Sequence, residues 1–512
     1  MPPRPSAFSS TTKSWWPLRR RAIAMPSPAN PDPMMATSVW VGVMLLVLLG
    51  TRYGLVATAS LHTPDRSDSH TGCPVASRTP RLAPEVRRAQ LLDTTLDLIT
   101  EEGFAAVSVE AVARRAGVTR PVIYDQFGDL DGLMVALLDR EEAAALQPLL
   151  AIVGEDQGDD VDPEAFLVEA VETFCEAVLA APRTWRLVVM PPRGRSPELE
   201  ARVTRSRRIV VERVAALLHW GLVRRGGPLG LDAELLARVV VACGEDGARL
   251  MLEQPDRFPP ARLAALAREG LQLLPADATP AGAPRPTLPD LGPPRPSAAP
   301  RPEPDPADPP PAPARRMPQA ERRRQLIGVA LDLVAAEGFG ALTMEEVARR
   351  AGVSKVVVYR SFANVGVLLL ALLRVAERRT RTTLEGLLPT DPAGRTPAVL
   401  LGEALASLLA AAEHDPPLWR LALLRPEQAP KAVQAVIHRR RSALARDLRP
   451  LVRWGLQGVG ARASGVDVEV LTRLLLSAGE ELVREVLEEP RTPADEILEK
   501  VWTLLDRLPV GD

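Results

Sequence analysis

The chain has 512 residues, 63 of them lysine or arginine against 64 aspartates and glutamates, for a net charge of −1. That length accommodates about two to four domains with substantial cores. The charge balance excludes a uniformly basic nucleic-acid binder, so any charge meant for DNA must be local. Three cysteines without a C-x-x-C pair and five scattered histidines point to neither a disulfide framework nor a metal site. Aromatics are scarce and Ala, Leu, Arg and Glu abundant, which predicts an all-α fold.

Residues 1–80 differ from the rest, being rich in Pro, Ser, Thr, Met and Trp. Arg19, Arg20 and Arg21 precede an apolar run at 39–49 that Gly42 interrupts. A bilayer span takes about 20 apolar residues, so this run is closer to a signal-peptide core. Three readings compete: a secretory signal, a single-span anchor, and an upstream translation artefact with the true start near Leu82. The artefact, or a disordered leader, is favoured over any membrane role.

From Pro84 the apolar spacing becomes helical. A helix is predicted over 85–102, followed at Val107–Phe127 by VSVEAVARRAGVTRPVIYDQF. There Val109, Val112, Ala113 and Ala116 make one face of a short helix, and Gly117 breaks it by taking positive φ without steric cost. Thr119 offers an N-cap oxygen, and Val122, Ile123 and Phe127 give a second helix its buried side. Two short helices joined by a glycine turn form a helix-turn-helix, the second helix sized for a DNA major groove. A fourth helix starts near Asp129. After an acidic loop at 154–162, helices are predicted over 163–181, 183–190, 197–224, 232–254 and 260–273. This gives a DNA-binding module at 84–134 and a helical regulatory domain at 135–274.

In 275–316 proline recurs every few residues, which predicts an extended linker. At about 3.1 Å per residue it could reach beyond about 100 Å. The motif then returns at Leu342–Phe362 as LTMEEVARRAGVSKVVVYRSF, with Thr343 and Glu346 as a T-x-x-E capping box, Gly352 as breaker and Ser354 as cap. The repetition continues far beyond it. Trp185-Arg186-Leu187 recurs as Trp419-Arg420-Leu421, Trp220-Gly221-Leu222 as Trp454-Gly455-Leu456, and Gly244-Glu245 as Gly479-Glu480. A whole unit was therefore duplicated, giving a second module at 317–369 and a second regulatory domain at 370–512.

The repeated passage resembles the DNA-binding module of the TetR/AcrR family of bacterial regulators. The likeness is carried by the basic helix before the motif, the E-G-F after that helix (Glu102-Gly103-Phe104, Glu337-Gly338-Phe339), A-R-R-A-G-V, and the closing Y-x-x-F. It implies two tandem units, each a helix-turn-helix module with a helical ligand-binding and dimerisation domain. It also implies that Tyr124 and Tyr359 meet the DNA backbone, with Thr119 and Ser354 at the helix entrance. The exposed candidates for DNA contact are Thr119, Arg120, Pro121, Tyr124, Asp125 and Gln126 in one copy. In the other they are Ser354, Lys355, Val356, Tyr359, Arg360 and Ser361. Arg suits guanine O6 and N7, Gln suits adenine, and Asp suits the cytosine amino group. The family's usual lysine at the start of the fourth helix is missing: Gly128-Asp129-Leu130-Asp131 and Ala363-Asn364-Val365-Gly366 stand there.

The regulatory domains offer Trp185, Trp220, Trp419 and Trp454 to a ligand pocket or, more simply, to a core. The adjacent acids Glu245-Asp246 and Glu480-Glu481 diverge by about 100° on a helix and do not form a catalytic carboxylate pair. No nucleophile elbow, P-loop or metal motif is present, so neither an enzyme nor a cofactor is expected. The expected function is that of a ligand-responsive, sequence-specific regulator, a repressor, working in the cytoplasm on double-stranded DNA with an unidentified small-molecule effector. The alternative is a sensor or interaction protein of the same fold that has lost DNA binding in one or both repeats. The resemblance further implies that helices at 198–224 and 232–253 pair with those at 432–455 and 466–488. Ala242, Gly244, Gly247, Ala248, Ser477, Ala478 and Gly479 are the small residues expected at that seam. Tethering favours internal pairing over a homodimer. Two unlike readers about 34–36 Å apart then select a site that is not a palindrome.

Overall fold

A computed structural model of the chain describes residues 83–152, 162–191, 197–271, 282–292, 317–337, 341–387, 395–423, 431–457, 465–488 and 491–507. The leader at 1–80 and the linker outside 282–292 lie beyond the described residues. Among those described, every regular element is helical and none is a strand, so the fold is all-α. Among the described residues, contacts divide the chain into two compact units, one of residues 83–191 and one of residues from Pro197 onward.

The first unit holds α1 (Pro84–Glu102), a 3₁₀ turn (Phe104–Ala106), α2 (Val109–Ala116), α3 (Arg120–Phe127), α4 (Leu130–Ile152), α5 (Pro163–Ala180) and α6 (Pro182–Val189). Local chemistry sets these ends. Ser108 accepts from the Ala111 amide at 3.1 Å and so caps α2. Gly117 closes α2 at φ 66°, the left-handed region that glycine alone enters freely. Asp129 accepts from the Gly132 amide at 2.7 Å and so opens α4. Leu91, Val112, Ile123, Leu133 and Met134 are fully buried and bind α1–α4 into one core. Trp185 of α6 is buried and meets Phe174 edge-on at 5.2 Å, so it is a packing residue.

The second unit begins with α7 (Pro197–Arg224), α8 (Ala233–Glu253) and α9 (Pro260–Leu271). It continues with α10 (Gln319–Glu337), α11 (Met344–Ala351), α12 (Lys355–Ser361), α13 (Val365–Leu387), α14 (Pro397–His414) and α15 (Pro416–Ala422). It closes with α16 (Lys431–Gln457), α17 (Val468–Leu487) and α18 (Ala494–Leu505). The division between units therefore does not follow the repeat boundary. Helices α7–α9 come from the first repeat and pack within the unit that contains the whole second repeat.

At the centre of this unit α7 lies on α8, α16 lies on α17, and α8 packs directly against α17. The α8–α17 seam carries an ion network that repeats itself. Arg207 of α7 pairs with Glu245 at 3.1 Å and with Glu481 at 2.8 Å. Its counterpart Arg441 of α16 pairs with Glu480 at 2.9 Å and with Asp246 at 2.7 Å. The adjacent acids thus diverge as helix geometry requires, one toward its own repeat and one toward the other. The network is not fully symmetric: Ser477 donates to Asp246 at 2.9 Å, whereas its counterpart, Ala242, has no hydroxyl. Burial acts to raise the Asp246 carboxyl, but Arg441 and Arg249 outweigh it and hold the group well below the usual carboxylate range.

Two of the expected small residues serve other contacts. A Cβ at Gly247 would lie 3.0 Å from Leu263 of α9, and one at Gly479 would lie 3.9 Å from Leu408 of α14. The seam itself uses Ser477 and Cys243, whose thiol donates to the Leu474 carbonyl at 3.4 Å. The described part of the linker, 282–292, is without helix, as its prolines predict, but it is not free chain. The Gly282 and Ala283 amides donate to Asp506, and Arg285 pairs with Asp495 and Glu499. Pro286 is packed so close to Trp502 and Gly402 that a Cβ on Gly402 would lie 2.9 Å from its ring. Trp419 and Trp502 are buried, while Trp220 and Trp454 are half-buried. Among the described residues no single helix is long and apolar enough to cross a membrane. Only α12 with the start of α13, bent by 61°, passes that test as a pair, and α13 buries Leu368, Leu369 and Leu372 in the core.

Candidate DNA-binding surfaces

Each helix-turn-helix is presented by its own core. In the first, Ile123 is the buried residue of α3 and anchors it. In the second, Val358 anchors α12 within a cluster that includes Leu326, Val347, Phe362 and Leu372. Burying one side of a short helix leaves the other outward. Thr119, Arg120, Pro121, Tyr124 and Asp125 are exposed, as are Ser354, Lys355, Val356, Tyr359 and Arg360. The two tyrosines have the same exposure, 49%, and Val356 reaches 60%.

The last candidate in each set is different. Gln126 and Ser361 are only half-buried, and the Ser361 hydroxyl turns back to donate to the Val357 carbonyl at 3.1 Å. Their backbone carbonyls are gripped from α1 and α10. Arg88 donates to Gln126 O at 2.8 Å and lies over the Phe127 ring at 4.4 Å. Arg323 repeats both contacts with Ser361 O and with Phe362 at 4.2 Å. These two arginines lie in the basic stretches before the two motifs (Arg81, Arg87 and Arg88; Arg315, Arg316, Arg322, Arg323 and Arg324), the local charge that the sequence offers to DNA. Their guanidiniums instead clamp the C-terminal end of each recognition helix, where the helix dipole favours a cation.

The entrances of the two helices also depart from expectation. Thr119 and Ser354 hold the N-cap positions with extended backbone, yet neither side chain makes a capping hydrogen bond. Their hydroxyls are thereby left free of the helix ladder, where an O–H can donate to phosphate. The capping box at Thr343 forms in one direction only. Its hydroxyl accepts from the Glu346 amide at 3.1 Å, while the Glu346 carboxylate turns to Arg349 and Arg350. Hydrogen bonds from those two arginines pull Glu346 down to about 2. The turn where the family has lysine is explained by helix starts. Asp129 caps α4, and Asn364 accepts from the Val367 amide at 2.9 Å to cap α13.

A further pair of residues was missed in the sequence. Arg120 Nη1 lies 3.0 Å from Glu110 Oε1, and Lys355 Nζ lies 2.9 Å from Glu345 Oε1. In each module the first residue of the recognition helix is thus tied to the first turn of the helix before it. The signal in the sequence was that V-E-A and M-E-E hold a glutamate at the same place in both copies.

The profile of bacterial regulatory proteins of the tetR family matches at residues 91–137 and again at 326–372. The HTH-type transcriptional activator FasR of Mycolicibacterium smegmatis is 27% identical over 172 residues, covering 34% of this chain and 75% of FasR. The HTH-type transcriptional regulator BetI of Paraburkholderia phytofirmans is 43% identical over 54 residues, 10% of this chain and 28% of BetI. The chain thus spans less than a third of BetI. Among solved structures, a TetR-like transcriptional regulator from Rhodococcus sp. RHA1 is 25% identical, with 37% of this chain and 98% of that one covered and a TM-score of 0.30. These relatives are transcriptional regulators rather than enzymes.

Proposed function

The chain belongs to the TetR family of bacterial regulators and carries the family's DNA-binding module twice; from this premise we propose that it is a one-chain regulator in which two unlike readers select one asymmetric DNA site. It is a DNA-binding transcriptional regulator. The observation that carries the one-chain reading is the α8–α17 seam, where Arg207 reaches Glu481 and Arg441 reaches Asp246 across the two repeats. Reciprocal contacts of this kind are what a two-fold dimer makes between subunits. Here one polypeptide makes them with itself, which supports a single-chain pair over a two-chain dimer.

The proposed base readers are Arg120, Pro121, Asp125 and Gln126 in one module and Lys355, Val356, Arg360 and Ser361 in the other. Tyr124 and Tyr359, with Thr119 and Ser354, position the helices on phosphate. Asp125 favours a cytosine amino group where Arg360 favours guanine, so the half-sites differ. The regulator works in the cytoplasm, where its DNA is, and represses by occluding a promoter until an effector shifts the equilibrium between two conformations. The relative FasR is named an activator, so the regulatory assay must read both directions.

Two measurements test this. Sedimentation at micromolar concentration is expected to give a particle of one chain, 55.3 kDa. Selection from random DNA with the full chain is expected to recover two dissimilar half-sites at fixed spacing. An obligate two-chain particle, or a perfect inverted repeat, would overturn the proposal.

A further inference from the structure

We propose that Glu110 and Glu345 determine specificity as counter-ions to the two readers. Each holds the first cation of its recognition helix off the phosphate backbone, so that the cation contributes to binding only where a base edge takes it over. This rests on the DNA-binding reading above.

The pairs are short and placed alike: Arg120 to Glu110 at 3.0 Å and Lys355 to Glu345 at 2.9 Å. The cations are 60% exposed in both, and the acids 51% and 53%, so both partners stand where DNA would arrive. Exposed ion pairs of this kind contribute little to folding, so stability does not account for finding the same pair twice. The positions proposed to read bases differ between the copies: Pro121 stands where the other copy has Val356, Asp125 where it has Arg360 and Gln126 where it has Ser361. The cation itself differs, guanidinium in one copy and ammonium in the other, yet a glutamate faces it in both.

The physics of non-specific binding gives such a pair a role. A bare lysine or arginine facing a duplex neutralises a phosphate and releases a condensed counterion, whatever the sequence. A cation already neutralised by a carboxylate has little charge to offer, and the carboxylate repels the same phosphates. In the major groove the exchange is different. Guanine O6 and N7 satisfy the cation, and the carboxylate can accept from a cytosine amino group. The pair therefore weakens binding to arbitrary DNA more than binding to a matching base step.

The test compares the full chain with E110Q/E345Q on two duplexes, one recovered by selection from random DNA and one scrambled to the same length and composition. Glutamine keeps the shape and removes the charge. The variant is expected to bind the scrambled duplex more tightly, a gain that misfolding cannot produce. The plot of log affinity against log salt should steepen by about 0.9 for each freed cation. The ratio of selected to scrambled affinity should fall by about tenfold. E110D/E345D, which keeps the charge, should restore most of the ratio. An unchanged slope and ratio, or equal weakening on both duplexes, would overturn the inference. Failure of the parent chain to discriminate the duplexes would overturn the DNA-binding reading itself, and this inference with it.

Discussion

Replacing Arg441 by methionine removes the cation at the centre of the seam while keeping most of its stem. Arg441 donates to Asp246 at 2.7 Å, to Ser477 at 3.0 Å and to the Glu480 carboxylate at 2.9 and 3.0 Å. Asp246 is only 3% exposed, so its charge cannot turn to water when Arg441 is lost. Breaking a buried pair this way costs about 3–5 kcal/mol, chiefly through the stranded charge. Arg249 remains 2.7 Å from Asp246, which places the expected loss at the lower end, about 3 kcal/mol.

The pH dependence has a definite sign. In the parent chain Asp246 is held below its unfolded value of about 3.9, so its stabilisation is present above that pH and is lost as pH falls toward the folded value. Without Arg441, burial moves the carboxyl upward, and the variant is penalised for keeping it charged. The deficit should therefore be largest at neutral pH and shrink below about pH 5. Urea denaturation followed by circular dichroism, at about pH 7 and about pH 4.5, reads both quantities. D246N/R441M, which removes the stranded charge, should recover a large part of the loss. A deficit below about 1 kcal/mol at neutral pH, or one independent of pH, would mean that Asp246 is solvated and the seam is open.

Two further outcomes concern the readers. Arg88→Ala, or Arg323→Ala in the second module, should destabilise its module by about 1 kcal/mol and weaken DNA binding. Because the clamp acts through the recognition helix, the salt slope should stay unchanged; a slope shallower by about 0.9 would show that the arginine meets phosphate instead. Grafting Arg120–Gln126 in place of Lys355–Ser361 should turn the preferred site into an inverted repeat, and selection from random DNA is the check. An unchanged asymmetric site would remove these helices from the reading role.

The sequence alone was enough for what depends on neighbours along the chain. Proline at Pro84, Pro163, Pro197 and Pro260, serine or aspartate at the caps, and glycine at Gly117 and Gly352 set helix ends through local dihedral and hydrogen-bond preferences. The 3.6-residue spacing gave each helix its buried side, and comparison of the two repeats located both recognition helices. What lay outside its reach was the partner met by each polar face. Glu245 and Asp246 were recognisably divergent, yet only packing assigned one to Arg207 and the other to Arg441 of the second repeat. Arg88 and Arg323 read as DNA-facing charge because composition cannot distinguish a cation aimed at solvent from one folded over a phenylalanine. Glycines expected at the seam proved to face α9 and α14. Periodicity tells which side of a helix is polar or small; which helix comes to lie against that side is a property of the whole chain, decided by contacts between residues far apart in sequence.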